Sequence, residues 1–191
     1  MEMSNAISVE TVGTTAIIRF TRPKIRNPLS VGVLVAIDNQ LDQLSADAAV
    51  NTIVFTGTSD AFASGADLRE IALITPATAE EFSIRGHQLM NKIAACGKTT
   101  IAAINGFCYG GALDLAAACG RRIAKPSATF CHPGAGLGII TGWGGTQRIP
   151  RLIGSANAFE LFFTASPISA DSALRIGLID AISGDPIADC V

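Results

Sequence analysis

The sequence predicts an α/β protein built on a parallel-rich sheet, and three observations carry that expectation. Strand-like and helix-like patterns alternate through most of the 191 residues, without a repeat or an interdomain linker, as one domain of layered α/β architecture requires. The composition is 49% hydrophobic and only 16% charged, with few aromatics, so the interior is made mainly of Ala, Ile, Leu and Val; a chain of this length removes roughly 70% of its unfolded surface from water. The third observation is the central stretch Lys98 to Gly120, KTTIAAINGFCYGGALDLAAACG. Its β-branched run Thr99 to Ile104 suits a buried strand, Asn105-Gly106 closes it, and Ala112 to Ala118 are good helix formers.

Taken in order, Ile7 to Thr11 and Ala16 to Phe20 form a hairpin around Val12-Gly13-Thr14-Thr15. Arg22 to Leu29 is a loop, because Pro23 and Pro28 break pairing and extend the residues before them. Ser30 caps a helix whose Leu34, Ile37, Leu41 and Leu44 make one apolar stripe. Asn51 to Thr56 is a strand, Gly57 to Ala66 a loop of small residues, and Leu68 to Ile74 helical. Thr78-Ala79-Glu80-Glu81 has capping-box spacing and opens a helix with Phe82, Leu89, Ile93 and Cys96 on one face; His87 lies off that stripe as a solvated residue. Arg121 to Ala124 and Ala128 to Cys131 are short strands, and His132 to Gly145, with six glycines, is a shaped loop. Helices follow over Thr146 to Ile153, Asn157 to Thr164 and Ser169 to Ile176, then a last strand over Leu178 to Ile182.

Fourteen basic against sixteen acidic side chains leave a net charge of −2, which argues against nucleic acid or an anionic membrane as the main partner. The opening MEMSNAISVE has no apolar core of signal-peptide length, and no apolar run reaches the roughly 18 residues of a membrane span, so a soluble cytoplasmic protein is expected. Five cysteines without a C-x-x-C pair read as reduced core thiols. Gly97-Lys98-Thr99 lacks the earlier glycine of a phosphate loop and leads into a strand; the 134 to 145 glycines do not form a dinucleotide fingerprint; Ser64 lacks the flanks of a nucleophile elbow; and two histidines, 87 and 132, give no metal spacing.

Two glycine-containing turns remain, Ser64 to Leu68 and Gly110-Gly111, each placed to offer backbone donors. The second stands at a helix mouth, where unpaired N–H groups and the positive dipole end suit an anion or an oxygen that becomes one. Equally, its glycines could only relieve crowding in a tight turn. The cations Arg22, Lys24 and Arg26 crowd one loop, either as a solvated turn or as a site for a polyanion.

FASGADLRE resembles the F-x-x-G-x-D-[LI]-x-E loop of the crotonase superfamily, the enoyl-CoA hydratase/isomerase proteins, and NGFCYGGALDLAAACG resembles their second signature. GWGGTQRIPRLIG and ALRIGLIDAI match in order and spacing, so the resemblance spans the chain from the Arg22-Pro23 turn to about residue 182. It implies a spiral of ββα units, two sheets and flanking helices. It also implies that the backbone N–H groups of Ser64 and Gly111 polarise an acyl-CoA thioester carbonyl. Lys24 and Arg26 become candidates for the CoA phosphates, and the loop Ala63, Ser64, Gly65, Ala66, Asp67 and Leu68, with Gly110 and Gly111, for the rest of the coenzyme. No separate cofactor is implied, since coenzyme A arrives with the substrate.

The resemblance also marks departures. Hydratases of this family divide proton transfer between two glutamates. The first aligns with Asp114, one methylene shorter; the second belongs to a Pro-Glu dipeptide where this chain has Pro133-Gly134. Three readings follow: Asp114 alone moves a double bond through an enolate; His132, of a type that titrates near neutrality, joins Asp114 as a second acid–base group; or the protein binds acyl-CoA without catalysis or serves as a subunit. His132 is otherwise a structural residue at a strand end. Family members usually continue with further helices that cover the acyl pocket and build a trimer, so the Ala158 to Phe163 and Ala173 to Ile182 segments are expected to expose apolar side chains and favour a trimer-based homo-oligomer.

Overall fold

The structure, a computed structural model, describes residues 6–191; half of the N-terminal stretch read for signal character therefore lies outside the described residues. The chain opens with the hairpin β1 (Ile7–Val12) and β2 (Thr15–Phe20), paired antiparallel from Ile7 opposite Phe20 to Val12 opposite Thr15. Helix α1 (Val31–Ala46) begins at Ser30, whose hydroxyl accepts the Val33 N–H at 3.4 Å, and it buries Val33, Leu34, Ile37, Leu41 and Leu44 as its stripe predicts.

From there the chain repeats one unit, a strand in a large sheet, a short strand in a second sheet, then helix. The first unit is β3 (Thr52–Thr56), β4 (Ala61–Ala63), and the helices α2 (Leu68–Ile71) and α3 (Ala79–Ala95). The second is β5 (Thr99–Ile104), β6 (Phe107–Tyr109) and α4 (Gly111–Ala118); the third is β7 (Arg121–Ala124), β8 (Thr129–Cys131) and α5 (Gly145–Thr164), broken at Gly154 where φ is 77°. Strand β9 (Ile168–Ser169), helix α6 (Ala170–Arg175) and strand β10 (Ala181–Ile182) complete it. The larger sheet runs β1-β2-β3-β5-β7-β10, parallel after the hairpin, and the smaller runs β4-β6-β8-β9, with only the β8–β9 pair antiparallel.

Alternation along the large sheet divides the core. Ile18, Phe20, Ile53, Phe55, Ala102 and Ile104 join the main core with the helices, while Ile17, Val54, Ile101, Ala103 and Ile123 face the other way and meet Ala181, Ile187 and Cys190. The corners between sheets admit no side chain: a Cβ on Gly57 would lie 1.9 Å from the Ala61 carbonyl oxygen, and one on Gly106 1.9 Å from that of Asp60. Buried Asn105 ties two corners together, its Oδ1 accepting the Gly57 N–H at 2.9 Å and its amide donating to Ser59 O at 3.0 Å.

Five expectations are corrected. The Gly57 to Ala66 loop contains strand β4, and the turn after Asn105-Gly106 leads through β6 before the helix begins; three-residue strands are too short to show a period of two. Thr78 does not cap α3, because its own backbone is helical (φ −108°, ψ −9°) and its hydroxyl turns back to accept the Thr75 N–H at 3.0 Å. Helix α2 stops at Ile71. His87 is half-buried, near the Gly144 turn.

All five cysteines are free thiols. Burial raises the Cys119 thiol from its ordinary 9.0 to about 12, and Cys108 is likewise pushed well above 9.0, first by burial and then by the charge of Asp114. The folded state thus holds these protons more tightly than the unfolded one. Their stabilising contribution is complete below about pH 9 and is lost as pH climbs toward 12. Urea unfolding should therefore show stability falling above pH 9 by about 1.4 kcal/mol per pH unit for each thiol, with Cys119→Ala removing its share of that slope.

Candidate active site

Strands β4 and β6 run side by side and parallel, with Ala63 opposite Cys108, so the turns that follow them meet. A Cβ on Gly65, whose φ is 86°, would lie 2.6 Å from the Gly111 nitrogen and 2.7 Å from the Tyr109 carbonyl oxygen. Only glycine permits that approach. Gly110, at φ 54°, gives its N–H to Cys131 O at 2.9 Å, and its carbonyl receives the N–H groups of Leu113 and Asp114. Among the described residues the amides of Ser64 and Gly111 donate to no protein acceptor. Both residues border a cavity of about 540 Å³, and the Gly111 amide adds the positive end of α4.

One turn into α4 stands Asp114, 1% exposed and also on the cavity wall. A buried carboxylate needs donors. Thr141 Oγ1 donates to Oδ2, and His132 Nε2 lies 3.2 Å from Oδ1. His132 is itself 5% exposed, borders the cavity, and meets the Phe162 ring edge-on at 5.1 Å. Each Asp114 oxygen keeps a lone-pair site beyond these bonds. Gly145 passes so close that a Cβ there would lie 2.1 Å from Asp114 Oδ1. Burial lowers the Arg148 guanidinium from its ordinary value while the Asp114 charge acts in the opposite sense, which places the two within electrostatic reach.

The structure brings Ser64, Gly110, Gly111, Asp114 and His132 to this one cavity, with Ala66 and Leu68. Gly134 is there too. A Cβ at Gly134 would lie 2.6 Å from the Ile139 carbonyl oxygen, and the Ile139 N–H closes the loop onto Gly134 O at 3.0 Å. Ala63 is buried within β4, and the Asp67 carboxylate caps α2 and pairs with Arg69, whose hydrogen bonds hold it below its ordinary value. Lys24 is exposed within its loop's three-residue 3-10 turn and lines neither cavity, and Arg26 lies over the Phe107 ring at 4.6 Å, bordering a second cavity of about 210 Å³. Sequence reasoning missed Thr141, Trp143 and Arg148. Their signal was a lone tryptophan and a threonine inside a glycine-rich stretch, which a loop reading absorbs without assigning contacts.

Repeated ββα turns, with two free amides and a buried carboxylate bordering one cavity at a helix mouth, define a protein of the crotonase-like fold. Residues 10–187 match the enoyl-CoA hydratase/isomerase family, and the chain belongs to it. It is 38% identical to a short-chain-enoyl-CoA hydratase of Clostridium acetobutylicum, over 95% of this chain and 70% of that protein. Against a crotonyl-CoA hydratase of Syntrophomonas wolfei it is 40% identical over 87% of this chain and 65% of that one. A solved enoyl-CoA hydratase of Bacillus anthracis superposes with a TM-score of 0.89 at 36% identity, covering 93% of this chain and 70% of that structure. The chain thus spans about two thirds of the length of these relatives.

Gly65→Ala tests the contact between the two turns. The added Cβ must displace Gly111, so the Gly111 amide signal in a ¹⁵N–¹H spectrum should move or vanish while signals from α1 stay in place, and turnover of an acyl thioester should fall by about a hundred-fold or more.

Proposed function

We propose that the protein is an acyl-CoA enzyme of the enoyl-CoA hydratase/isomerase type that stabilises a thioester enolate. The observation that carries this reading is the pair of unpartnered amides, Ser64 and Gly111, bordering the same cavity as the buried Asp114–His132 pair. The thioester carbonyl oxygen takes both N–H bonds, which strengthen as it becomes an oxyanion; removing one such donor costs about a hundred- to a thousand-fold in rate. The Ser64 hydroxyl has no part in that step.

In hydration, Asp114 takes a proton from a water whose oxygen adds to the β-carbon. The electron pair moves onto the carbonyl oxygen, and the resulting enolate collapses by taking a proton at the α-carbon from His132 Nε2–H. Transfer from Asp114 to His132 across their 3.2 Å contact restores the starting states. A second reading is favoured by Gly134, which supplies no carboxylate: Asp114 alone removes a proton from one carbon and returns it to another, shifting the double bond.

The substrate brings the coenzyme A, and the protein needs no further cofactor. Among the described residues no helix is long and apolar enough to cross a membrane, which together with its free thiols supports action in the cytoplasm. Assembly into a trimer-based homo-oligomer is supported by Phe159 and Phe163, 62% and 67% exposed and stacked at 4.1 Å. In the same region Leu161 is buried and Phe162 packs on the core, so only one side of α5 is available for contact.

Loss of enoyl absorbance from crotonyl-CoA, with the product resolved by chromatography, tests the activity. Asp114→Asn should bind the thioester and lose about a hundred-fold or more in turnover, whereas unchanged turnover would move the chemistry elsewhere. His132→Gln should abolish hydration yet spare a double-bond shift. A protein that binds the thioester and converts none of it is a binder. For assembly, light scattering at micromolar concentration should report an oligomer that Phe159→Glu/Phe163→Glu dissociates.

A further inference from the structure

Trp143 is the one tryptophan of the chain, a member of the main core that the proton chemistry does not use. It is 2% exposed and borders the cavity. Its two edges are gripped by glycines of different helices. A Cβ on Gly86 of α3 would lie 2.2 Å from Trp143 Cδ1, and one on Gly111 of α4 would lie 2.4 Å from Cζ3. The Phe82 ring packs at 5.7 Å with a 38° tilt, and the Trp143 backbone N–H reaches Thr141 Oγ1 at 3.4 Å, the same hydroxyl that donates to Asp114. The indole therefore spans the gap between α3 and α4, with one edge against each helix.

The cavity itself is graded. Its rim is apolar and open, with Leu68, Leu137 and Ile140 all exposed, while its buried end is formed by Asp114, His132 and Trp143. A thioester whose carbonyl reaches the Ser64 and Gly111 amides has its reacting carbons beside Asp114, and the tail beyond them runs into that buried end.

We propose that Trp143 determines acyl-chain length, its indole closing the buried end of the cavity so that short acyl groups fit and long ones do not. The inference rests on the acyl-CoA reading of the site and adds a substrate class to it. An apolar wall discriminates by the methylenes it cannot accommodate, and each misfitted one costs about ten- to two-hundred-fold in kcat/KM.

The test measures kcat/KM of the wild-type chain, Trp143→Phe and Trp143→Ala on crotonyl-CoA and on 2-decenoyl-CoA. Wild type should favour the four-carbon thioester, and the ratio should move toward the ten-carbon one by about ten-fold or more in Trp143→Ala, with Trp143→Phe between. Intrinsic fluorescence gives a readout free of turnover, since the emission of this lone indole should shift when unreactive butyryl-CoA is added and not when coenzyme A is. Should Trp143→Ala fail to fold, the phenylalanine variant and the emission of wild type still decide. A chain-length profile that is the same in wild type and in the folded variants, or a wild type that takes both lengths equally, overturns the role of Trp143 and leaves the acyl-CoA reading intact. If no thioester is consumed and none perturbs the emission, the reading of the site falls, and this inference with it.

Discussion

Everything at the site depends on two backbones touching without side chains between them. The Ser64–Gly65 turn and the Tyr109–Gly110–Gly111 turn lie so close that a single methyl group at Gly65 would meet both the Gly111 nitrogen and the Tyr109 oxygen. That proximity is inherited from below. Strands β4 and β6 are parallel neighbours, their entry corners lack room for a Cβ at Gly57 and Gly106, and Asn105 fastens those corners by hydrogen bonds to the main chain. Asn27 adds to this from the basic loop, donating to the carbonyls of Ala61 and Phe62 at 2.9 and 3.1 Å. The short second sheet therefore acts less as a core element than as a jig that brings two turns to one cavity.

The second requirement is electrical. Asp114 is almost wholly removed from water, and a carboxylate in that position is costly unless hydrogen bonds replace its hydration. The replacements come from a different part of the chain, His132 at the end of β8 and Thr141 in the glycine-rich loop. Satisfying one acid thus shapes the path from residue 132 to 145. The loop must carry Thr141 inward, pass Gly145 beside the carboxylate and deliver Trp143 between two helices, which explains why glycines flank the tryptophan. Polar satisfaction and apolar packing are set by the same few residues here.

The sequence disclosed the parts of this protein that are long and periodic. The α1 stripe, the hairpin, strands β3, β5 and β7 of the large sheet and the break in α5 at Gly154 appear where spacing places them, while the strand expected over Leu178 to Ile182 pairs only at Ala181–Ile182. Of the second sheet only β8 was read from pattern, over Ala128 to Cys131; β4 and β6 lie among glycines and small residues that read as turns, and only the family resemblance implied a second sheet. The Thr78 capping box failed for a reason of context, a turn in which Thr75 claims the hydroxyl first. At the site, Ser64, Gly111 and Asp114 were reached through matched motifs. His132 was noticed as the neighbour of a missing acid. Thr141 and Trp143 stayed hidden because their roles come from what a loop touches across the fold, and loops carry no period from which to infer contacts.

The conformation around Gly134 bears on how this site could change over time. A side chain there would meet main chain: a Cβ would lie 2.6 Å from the Ile139 carbonyl oxygen, and the Ile139 N–H is bonded to Gly134 O at 3.0 Å. A single codon change back to an acid would place its first carbon against main chain and force the whole 134 to 139 turn to rebuild. Descent from a two-acid ancestor would therefore be a step that cannot be retraced one residue at a time. An acid at position 134 thus needs coordinated changes along the turn, whereas the surroundings of Asp114 and His132 can be altered one neighbour at a time.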